Sequence, residues 1–326
     1  MLLRRRPAAV IASGLNVAVG VMRGFLLWCA ENPWLSAHVP RWGFARRAVS
    51  RFMPGEEFDA ALNAGIAFKA QGIGSLFTRL GENVKDLSEA TEVVEHYESV
   101  LAKMASSSLQ AEISVKPTQL GLDIDAKTAY ANLERLARAA AKAHSFLWID
   151  MEGSAYTQPT LDLYVRLREH NPRTGICLQA YLHRTVDDVV TLLQVKAAIR
   201  LVKGAYAEPP DRAYTAKKDV DANYLALCVL MLPEVKRGRI RLVLGTHDIV
   251  LIERASRFGR ALGLERAQIE VNMLYGIRTD QQVRLAQEGY VVKALIAYGR
   301  AWYAWYLRRL AERPANVLFV ARQMLP

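Results

Sequence analysis

Charged and hydrogen-bonding residues stand at the ends of short apolar segments along most of the chain. Lys116 and Arg200 are the most informative of them, because an unpaired charge within or beside a buried strand is costly. Each therefore predicts an anionic or electron-rich partner. The other members of the set are Thr78, Glu82, Asp150, Glu152, Gln179, Lys203, Thr246, His247 and Asn272. This cationic set suits a large anionic cofactor together with a small carboxylate substrate.

Several other chemistries do not fit the residues available. His247 is the only histidine at the end of an apolar segment, and no second imidazole stands at metal-ligand spacing, so we expect no metal site. No serine or cysteine occupies a nucleophile elbow. The three cysteines are far apart, which predicts a reducing compartment, no disulfide and no zinc site.

A pair of adjacent arginines near the C-terminus also calls for an acidic partner. Arg308 and Arg309 lie in the segment WYAWYLRRLAERP, which has helical character, and Glu312 follows one turn after Arg308. The residues alone leave two interpretations open. Either the pair and Glu312 form a solvated basic and acidic helix face, or the arginines bind the carboxylate of a substrate.

The elements that would position these residues alternate regularly between helix and strand. The strand segments are rich in Val, Ile and Leu and apolar without strict alternation, which indicates a parallel sheet buried on both faces. Helices are predicted at 56–71, 84–107, 126–144, 157–170, 185–198, 217–236, 248–262 and 279–287, each followed by a strand. Eight such units predict a (β/α)8 barrel, with catalytic residues at the C-terminal ends of the strands. A doubly wound open sheet is the alternative, but no G-x-G-x-x-G follows the first strand.

The N-terminal part differs from the rest of the chain. The net charge is +11, and arginines are dense before residue 52, beside an apolar run from Ala8 to Met22. The run is too short and too interrupted for a spanning helix, so the alternatives are an interfacial helix on an anionic membrane or a packing helix. We expect residues 1–55 to form a helical segment and residues 56–326 to form the catalytic barrel domain. No nucleic-acid-binding motif is present, and we expect no nucleic-acid partner.

Six motifs together resemble the proline dehydrogenase family in its short monofunctional bacterial form. They are ISVKPTQLG, LWIDMEGSAYT, CLQAY, RLVKGAYAEP, GTHD and YLRRLAERP, in this order, within a resemblance that covers roughly residues 50 to 322. The resemblance implies a distorted (β/α)8 barrel, N-terminal helices, and an extra C-terminal helix over the barrel mouth. It also implies non-covalently bound FAD, L-proline as substrate, and 1-pyrroline-5-carboxylate as product. Electrons would pass to a membrane quinone. The enzyme would be cytoplasmic, and the alternatives are a freely soluble protein and one bound peripherally to the inner membrane face.

The same resemblance assigns roles to individual residues. Arg308, Arg309 and Lys116 would bind the substrate carboxylate, and Arg200 would lie beside the reactive part of the flavin. Glu82 would pair with the first arginine when the site is empty and act as a gate. The residues that would hold FAD are Gln179, Arg200, Lys203, Gly204, Thr246, His247 and Glu312. The residues of the substrate pocket and its support would be Asp150, Leu201, Ala205 and Tyr206, and Ala205 would also form part of the gate with Glu82.

The chain departs from the family pattern around the substrate. Leu295 and Trp305 stand where the family usually has tyrosines, and Thr78 replaces a common aspartate. The two changes in the aromatic wall remove hydroxyl groups and alter the shape of a small pocket. The substrate alternatives are proline, 4-hydroxyproline, and another cyclic or secondary amino acid or amine. A catalytically silent FAD-binding homologue is the alternative outside enzymes.

Overall fold

A computed structural model describes residues 24–26, 28–30, 32–39, 42, 49–81, 84–107, 109–303 and 305–307. The chain forms two compact units. One consists of Phe52–Gly299, and the other combines residues 1–51 with residues 300–326. The predicted residues Glu82, Arg308, Arg309 and Glu312, and the apolar run from Ala8 to Met22, lie outside the described part of the chain.

The larger unit is a closed barrel of eight parallel strands in sequence order, in which β8 pairs with β1. The strands are β1 Gly74–Arg79, β2 Ala111–Val115, β3 Leu147–Ile149, β4 Thr174–Gln179, β5 Ala198–Val202, β6 Arg241–Gly245, β7 Glu270–Leu274 and β8 Val291–Tyr298. The predicted (β/α)8 barrel is therefore confirmed, and the open-sheet alternative is wrong.

A helix precedes each strand of the barrel. The described helices of six or more residues are α1 Pro33–His38, α2 Phe58–Lys69, α3 Leu87–Ser106, α4 Ala126–Lys142, α5 Thr157–Arg168, α6 Thr185–Leu193, α7 Lys217–Lys236, α8 Ile249–Ala261 and α9 Thr279–Gln287. Of these, α2 to α9 belong to the barrel unit. Aspartates begin three of them: the side chains of Asp86, Asp125 and Asp248 accept hydrogen bonds from backbone N–H groups of the first turn.

One predicted helix is shorter than its sequence pattern suggested. The apolar spacing favoured a helix over 185–198, but α6 ends at Leu193 and β5 begins at Ala198. Lys196 adopts a left-handed backbone conformation with φ of 50°, which ends the helical path between them. The apolar residues after Leu193 belong to the turn and to the following strand.

The barrel has an outer and an inner apolar core. The outer core lies between strands and helices and includes Ile113, Ile149 and Leu201, all fully buried. The inner core comprises Leu76, Trp148, Ala198 and Val243, with Leu295 packed against it. Alternate residues of each strand therefore face the helices and the barrel interior, as the period of two requires.

The smaller unit contains α1 and several short helical stretches. Asn32 caps α1 by accepting a hydrogen bond from the Leu35 N–H at 3.1 Å. Residues 24–26, 28–30, 302–303 and 305–307 are also helical. None of the described helices has the length and apolar character needed to cross a membrane.

Candidate active site

The central feature of the candidate site is a buried arginine inside the barrel. Arg200 occupies the middle of β5 and is only 2% exposed. Its Nη2 donates to Ser114 Oγ at 2.8 Å and to Asp150 Oδ1, and its Nε contacts Cys177 Sγ at 2.8 Å. We call these residues, together with Lys116, the Arg200 cluster. Asp150 compensates the arginine charge, so the cation predicted from the sequence has a carboxylate partner within the protein.

Lys116 and Asp150 follow directly after β2 and β3, at the C-terminal ends of two neighbouring strands. Lys116 Nζ lies 3.8 Å from Asp150 Oδ2, which is an ion pair but exceeds hydrogen-bond distance. Ser114 Oγ donates to Asp150 Oδ1 at 2.8 Å. The sequence-predicted residues Lys116, Asp150 and Arg200 are thus brought together at one place.

Ser114 and Cys177 belong to this cluster but were not among the predicted site residues. Ser114 stands two positions before Lys116, which directly follows β2, and Cys177 stands two positions before Gln179, the last residue of β4. Residues two apart point to the same side of a strand, so the period of two was the signal that could have found them. Cys177 is also the register partner of Arg200 on the neighbouring strand.

Several buried polar groups have atoms without a hydrogen-bond partner among the described residues, and some of these groups belong to the set predicted from the sequence. They include Arg200 Nη1, Gln179 Oε1, and both amide atoms of Asn272. Gln179 ends β4, and Asn272 lies in β7 with 4% exposure. Because buried polar atoms are nearly always satisfied, these atoms are suited to a polar ligand.

A second group of predicted residues follows β5 and β6. Lys203 Nζ contacts Asp221 Oδ1 at 2.5 Å and Asp248 Oδ2 at 2.9 Å. Burial alone would raise the pKa of both aspartates, but hydrogen bonds and charge from Lys203 and Lys217 outweigh it and hold each pKa below its ordinary value. Thr246 joins this group because its Oγ1 accepts from the Asp248 N–H at 3.2 Å. Lys203 is therefore neutralised by protein carboxylates that the sequence reasoning did not include.

Several other predicted residues of the barrel unit occupy loops and strands of the barrel. His247 Nε2 accepts from the Leu274 N–H at 3.3 Å. Gly204 has φ of +117°, and a Cβ there would lie 2.3 Å from Tyr181 Cδ1, so only glycine fits. Ala205 and Tyr206 follow it in the loop after β5 and are partly exposed. Leu295 packs against the inner core of the barrel, whereas Leu201 lies in the outer core.

The donor set can be tested for its fit to FAD. FAD needs cations and hydrogen-bond donors for its phosphates and both donors and acceptors for its flavin ring. Arg200 Nη1 and the amides of Gln179 and Asn272 offer such groups from buried positions. The chemistry of these residues fits the cofactor. Among the residues that the structure describes, no group of histidine, cysteine and carboxylate side chains could hold a metal ion.

The opposite end of the barrel carries a different charged cluster. Glu112 accepts hydrogen bonds from Trp148 Nε1, Arg241 Nη2 and Lys293 Nζ, each at 2.7 Å. Glu270 pairs with the same arginine. A cavity of about 430 Å³ adjoins these residues. Glu112, Arg241 and Glu270 stand at the N-terminal ends of their strands, away from the usual location of catalysis in this fold.

The barrel and the cluster at its C-terminal strand ends define a (β/α)8 enzyme with a cationic site. A sequence profile of the proline dehydrogenase family matches residues 61–322. Proline dehydrogenase 2 of Bacillus subtilis is 33% identical over 304 residues, which are 93% of this chain and 99% of the relative. Proline dehydrogenase of Deinococcus radiodurans is 34% identical over 313 residues, 93% of this chain and 97% of that protein.

A solved structure of proline utilization A from Bdellovibrio bacteriovorus has a similar fold. It aligns with a TM-score of 0.78 and 22% identity, and the match covers 86% of this chain and 34% of that longer protein. The chain belongs to the proline dehydrogenase family, a family of oxidoreductases that act on CH–NH bonds. The predicted family and enzyme class are confirmed.

Proposed function

We propose that this protein oxidises L-proline to 1-pyrroline-5-carboxylate with FAD as cofactor and passes the electrons to a membrane quinone. Proline loses two electrons in this reaction, as a hydride from C5 and a proton from the nitrogen, and a C=N bond forms. Bound FAD would supply the acceptor for the hydride. The observation that carries the proposal is the Arg200 cluster, in which Asp150 joins a fixed arginine inside the barrel to a lysine at the end of β2.

The residues of the cluster have distinct roles in this proposal. A cation beside the flavin favours its reduced, anionic form, and Arg200 would supply that charge from a position that Asp150 and Ser114 hold in place. Lys116 would bind the substrate carboxylate, since its ammonium group lies beyond hydrogen-bond distance from Asp150. Gln179 and Asn272 would add polar contacts to the cofactor, and burial of the site would limit the access of water.

Other members of the proposed site lie outside the described residues and rest on the sequence alone. Arg308 and Arg309 would complete the binding of the substrate carboxylate, Glu312 would contact FAD, and Glu82 would act as the gate. The motif YLRRLAERP supports the assignments of Arg308, Arg309 and Glu312, whereas Glu82 rests on the family resemblance. Trp305 lies within the described residues, half-buried in the helical stretch 305–307, and would contribute to the substrate pocket.

The nature of the amino acid substrate has a second candidate. Leu295 packs against the inner core of the barrel, where the family pattern has a tyrosine. Leucine removes a hydroxyl and changes the volume of a small pocket, which alters discrimination between similar substrates by about 1–3 kcal/mol. This supports hydroxyproline or another cyclic or secondary amino acid as the alternative substrate.

We also propose contact with the cytoplasmic face of a membrane. Phe25, Trp28 and Trp34 expose 60%, 57% and 59% of their surface, and the chain carries a net charge of +11. Exposed aromatic residues together with a basic sequence are typical of proteins that bind anionic lipid surfaces. Such contact would bring the enzyme close to a membrane quinone.

Anaerobic flavin reduction tests the proposed function directly. Purified protein should be yellow, release FAD rather than FMN on denaturation, and lose its absorbance near the flavin maximum when L-proline is added. Parallel samples with 4-hydroxyproline and other cyclic amino acids would rank the substrates. A folded protein that takes up no FAD would contradict the cofactor, and bound FAD that no such amino acid reduces would indicate a silent homologue.

A further inference from the structure

The contacts of Arg200 are divided unequally among its three nitrogens. Nη2 is held by Ser114 and Asp150, and Nε is held by Cys177. Nη1 has no hydrogen-bond partner in the described part of the chain, although the residue is only 2% exposed. A guanidinium is planar, so contacts at Nε and Nη2 fix its rotation and leave Nη1 as the nitrogen available to a ligand.

Cys177 reaches the arginine because of the strand register. Cys177 and Arg200 are paired across β4 and β5, and directly opposed residues of paired strands lie side by side on one face of the sheet. The thiol contacts two charged groups of the cluster, with Sγ 2.8 Å from Arg200 Nε and 3.7 Å from Asp150 Oδ1. Cys177 is 4% exposed, so water does not readily take the place of its sulfur as the partner of Arg200 Nε.

We propose that Cys177 is a positioning residue that holds the Arg200 guanidinium through Nε and so directs Nη1 to the cofactor. This proposal rests on the proposed function, because it assigns Arg200 to the flavin. It adds a residue that acts through the arginine and touches neither substrate nor flavin.

The chemical state of the thiol is consistent with this role. Burial raises the pKa of Cys177 to about 11, although the nearby arginine opposes the rise. The thiol is therefore neutral near pH 7. Its sulfur can accept from Arg200 Nε–H while its S–H points a weak donor toward Asp150. An aliphatic residue at this position would fill the space but leave Nε–H without its acceptor.

Side-chain NMR tests the contact in a way that does not depend on turnover. The Nε–H resonance of Arg200, identified by its absence from Arg200→Lys protein, should exchange slowly with solvent in the wild type. Cys177→Val should speed this exchange by about tenfold or more, and Cys177→Ser, which keeps an acceptor, should restore slow exchange. Equal exchange in all three proteins would overturn the proposal.

Flavin measurements test the positioning role. We expect Cys177→Val to bind FAD but to lower the rate constant of anaerobic flavin reduction by proline about tenfold, with little change in KM, because a misplaced cation affects the reaction more than substrate binding. Cys177→Ser should recover most of the rate. The matched control is Cys228→Val, since Cys228 is a fully buried thiol in α7 outside the cluster, and it should leave the rate unchanged.

The outcomes separate this proposal from the proposed function. Equal impairment by valine and serine would show a steric role for Cys177 and overturn the positioning role. An unchanged rate in Cys177→Val would overturn it as well. If wild-type protein binds FAD but no cyclic amino acid reduces it, the proposed function fails. In that case the NMR exchange and the flavin reduction potential, measured by dithionite titration, still decide the role of Cys177. A reduction potential that is shifted in Cys177→Val but not in Cys177→Ser supports the positioning role. Identical potentials in the wild type and both variants overturn it.

Discussion

The two oxygens of Asp150 have different partners: Oδ1 contacts Arg200 and Ser114, whereas Oδ2 faces Lys116 Nζ at 3.8 Å. The carboxylate therefore interacts mainly with the arginine. Its ion pair with the lysine is too long for a hydrogen bond. Lys116 is nonetheless largely buried, with 12% of its side chain exposed. A buried ammonium group with so little direct hydrogen bonding is well suited to an anionic ligand.

Replacement of this lysine should weaken substrate binding. A hydrogen bond to a charged group contributes about 1.5–3 kcal/mol, so Lys116→Met should raise KM for the amino acid substrate roughly 10- to 100-fold. FAD content should remain near that of the wild type. Steady-state kinetics and the flavin spectrum measure both quantities. Lys142→Met, which changes an exposed lysine in the last turn of α4, is the control. An unchanged KM in Lys116→Met would remove this lysine from the substrate site.

The arginine pair makes a second prediction. Arg308→Met should reduce kcat/KM roughly 30- to 1000-fold, a loss on the order of 2–4 kcal/mol, mainly through substrate binding. Steady-state kinetics with proline would measure this loss. Unchanged affinity in Arg308→Met would return the pair to the interpretation of a solvated helix face.

The leucine of the pocket makes a separate prediction. Leu295→Tyr should improve proline turnover and impair a bulkier substrate if the leucine selects for one. Kinetics with proline and 4-hydroxyproline would measure both activities.

The barrel could be predicted from the sequence because each unit carries its own local pattern. Apolar runs such as the one around Ile199 are buried on both faces, and aspartates such as Asp125 begin helices. Lys116, Asp150 and Arg200 could be placed together because parallel strands end at one face of a barrel. The contact of Cys177 with Arg200 could not, because it depends on the register between β4 and β5. Likewise, Asp221 neutralises Lys203 from α7, and no local pattern connects the two residues.

Membrane contact predicts a measurable effect of the exposed aromatic residues. Replacing Phe25, Trp28 and Trp34 by serine should weaken binding to vesicles that contain anionic phospholipid, because aromatic side chains contribute much of the apolar area at a lipid interface. Activity with a soluble acceptor dye should persist. Vesicle co-sedimentation measures the binding.

The matched control for this experiment uses exposed apolar residues of the barrel. Val186 and Val190 in α6 are 41% and 49% exposed, and their replacement by serine should leave vesicle binding unchanged. Deletion of residues 1–29 should have an effect at least as large as the aromatic substitutions. Equal binding by all forms would show that the N-terminal segment serves packing within the protein.

The charged cluster around Glu112 should make a pH-dependent contribution to stability. Burial alone would raise the pKa of this carboxyl, but the charges of Lys293 and Arg241 and the hydrogen bonds from Lys293 and Trp148 outweigh it and lower the pKa below its ordinary value. The ionised Glu112 carboxylate therefore stabilises the fold fully at pH values above the pKa that Glu112 has in the unfolded chain. This stabilisation is lost as pH falls through the lower pKa that Glu112 has in the folded protein.

The Glu112→Gln variant tests this contribution. Because it leaves two cations near a neutral amide, it should lower the free energy of unfolding at pH 7 by about 3–5 kcal/mol. The difference from the wild type should shrink in acid, where the carboxyl is also neutral. Urea unfolding at both pH values measures it. Glu253→Gln, at an exposed ion pair with Arg284, should cost less than about 1 kcal/mol. A difference that stays constant with pH would show that the charge of Glu112 is unimportant.

The contact between His96 of α3 and Tyr298 of β8 predicts a second pH dependence, of a different origin. His96 Nε2 lies 2.9 Å from the Tyr298 hydroxyl. Burial, assisted by the nearby charges of Arg79 and Lys103, lowers the pKa of His96 to about 4 from an ordinary value of 6.5. Between these values the unfolded chain binds a proton that the folded protein does not, so stability should fall as pH drops from 6.5 toward 4.

His96→Gln removes the titrating group while keeping a side chain that can hydrogen-bond to the tyrosine, and it should flatten this slope in urea unfolding. His170→Gln, at a histidine whose side chain is 76% exposed, should retain the wild-type slope. Identical slopes in wild type and His96→Gln would show that His96 does not control acid stability.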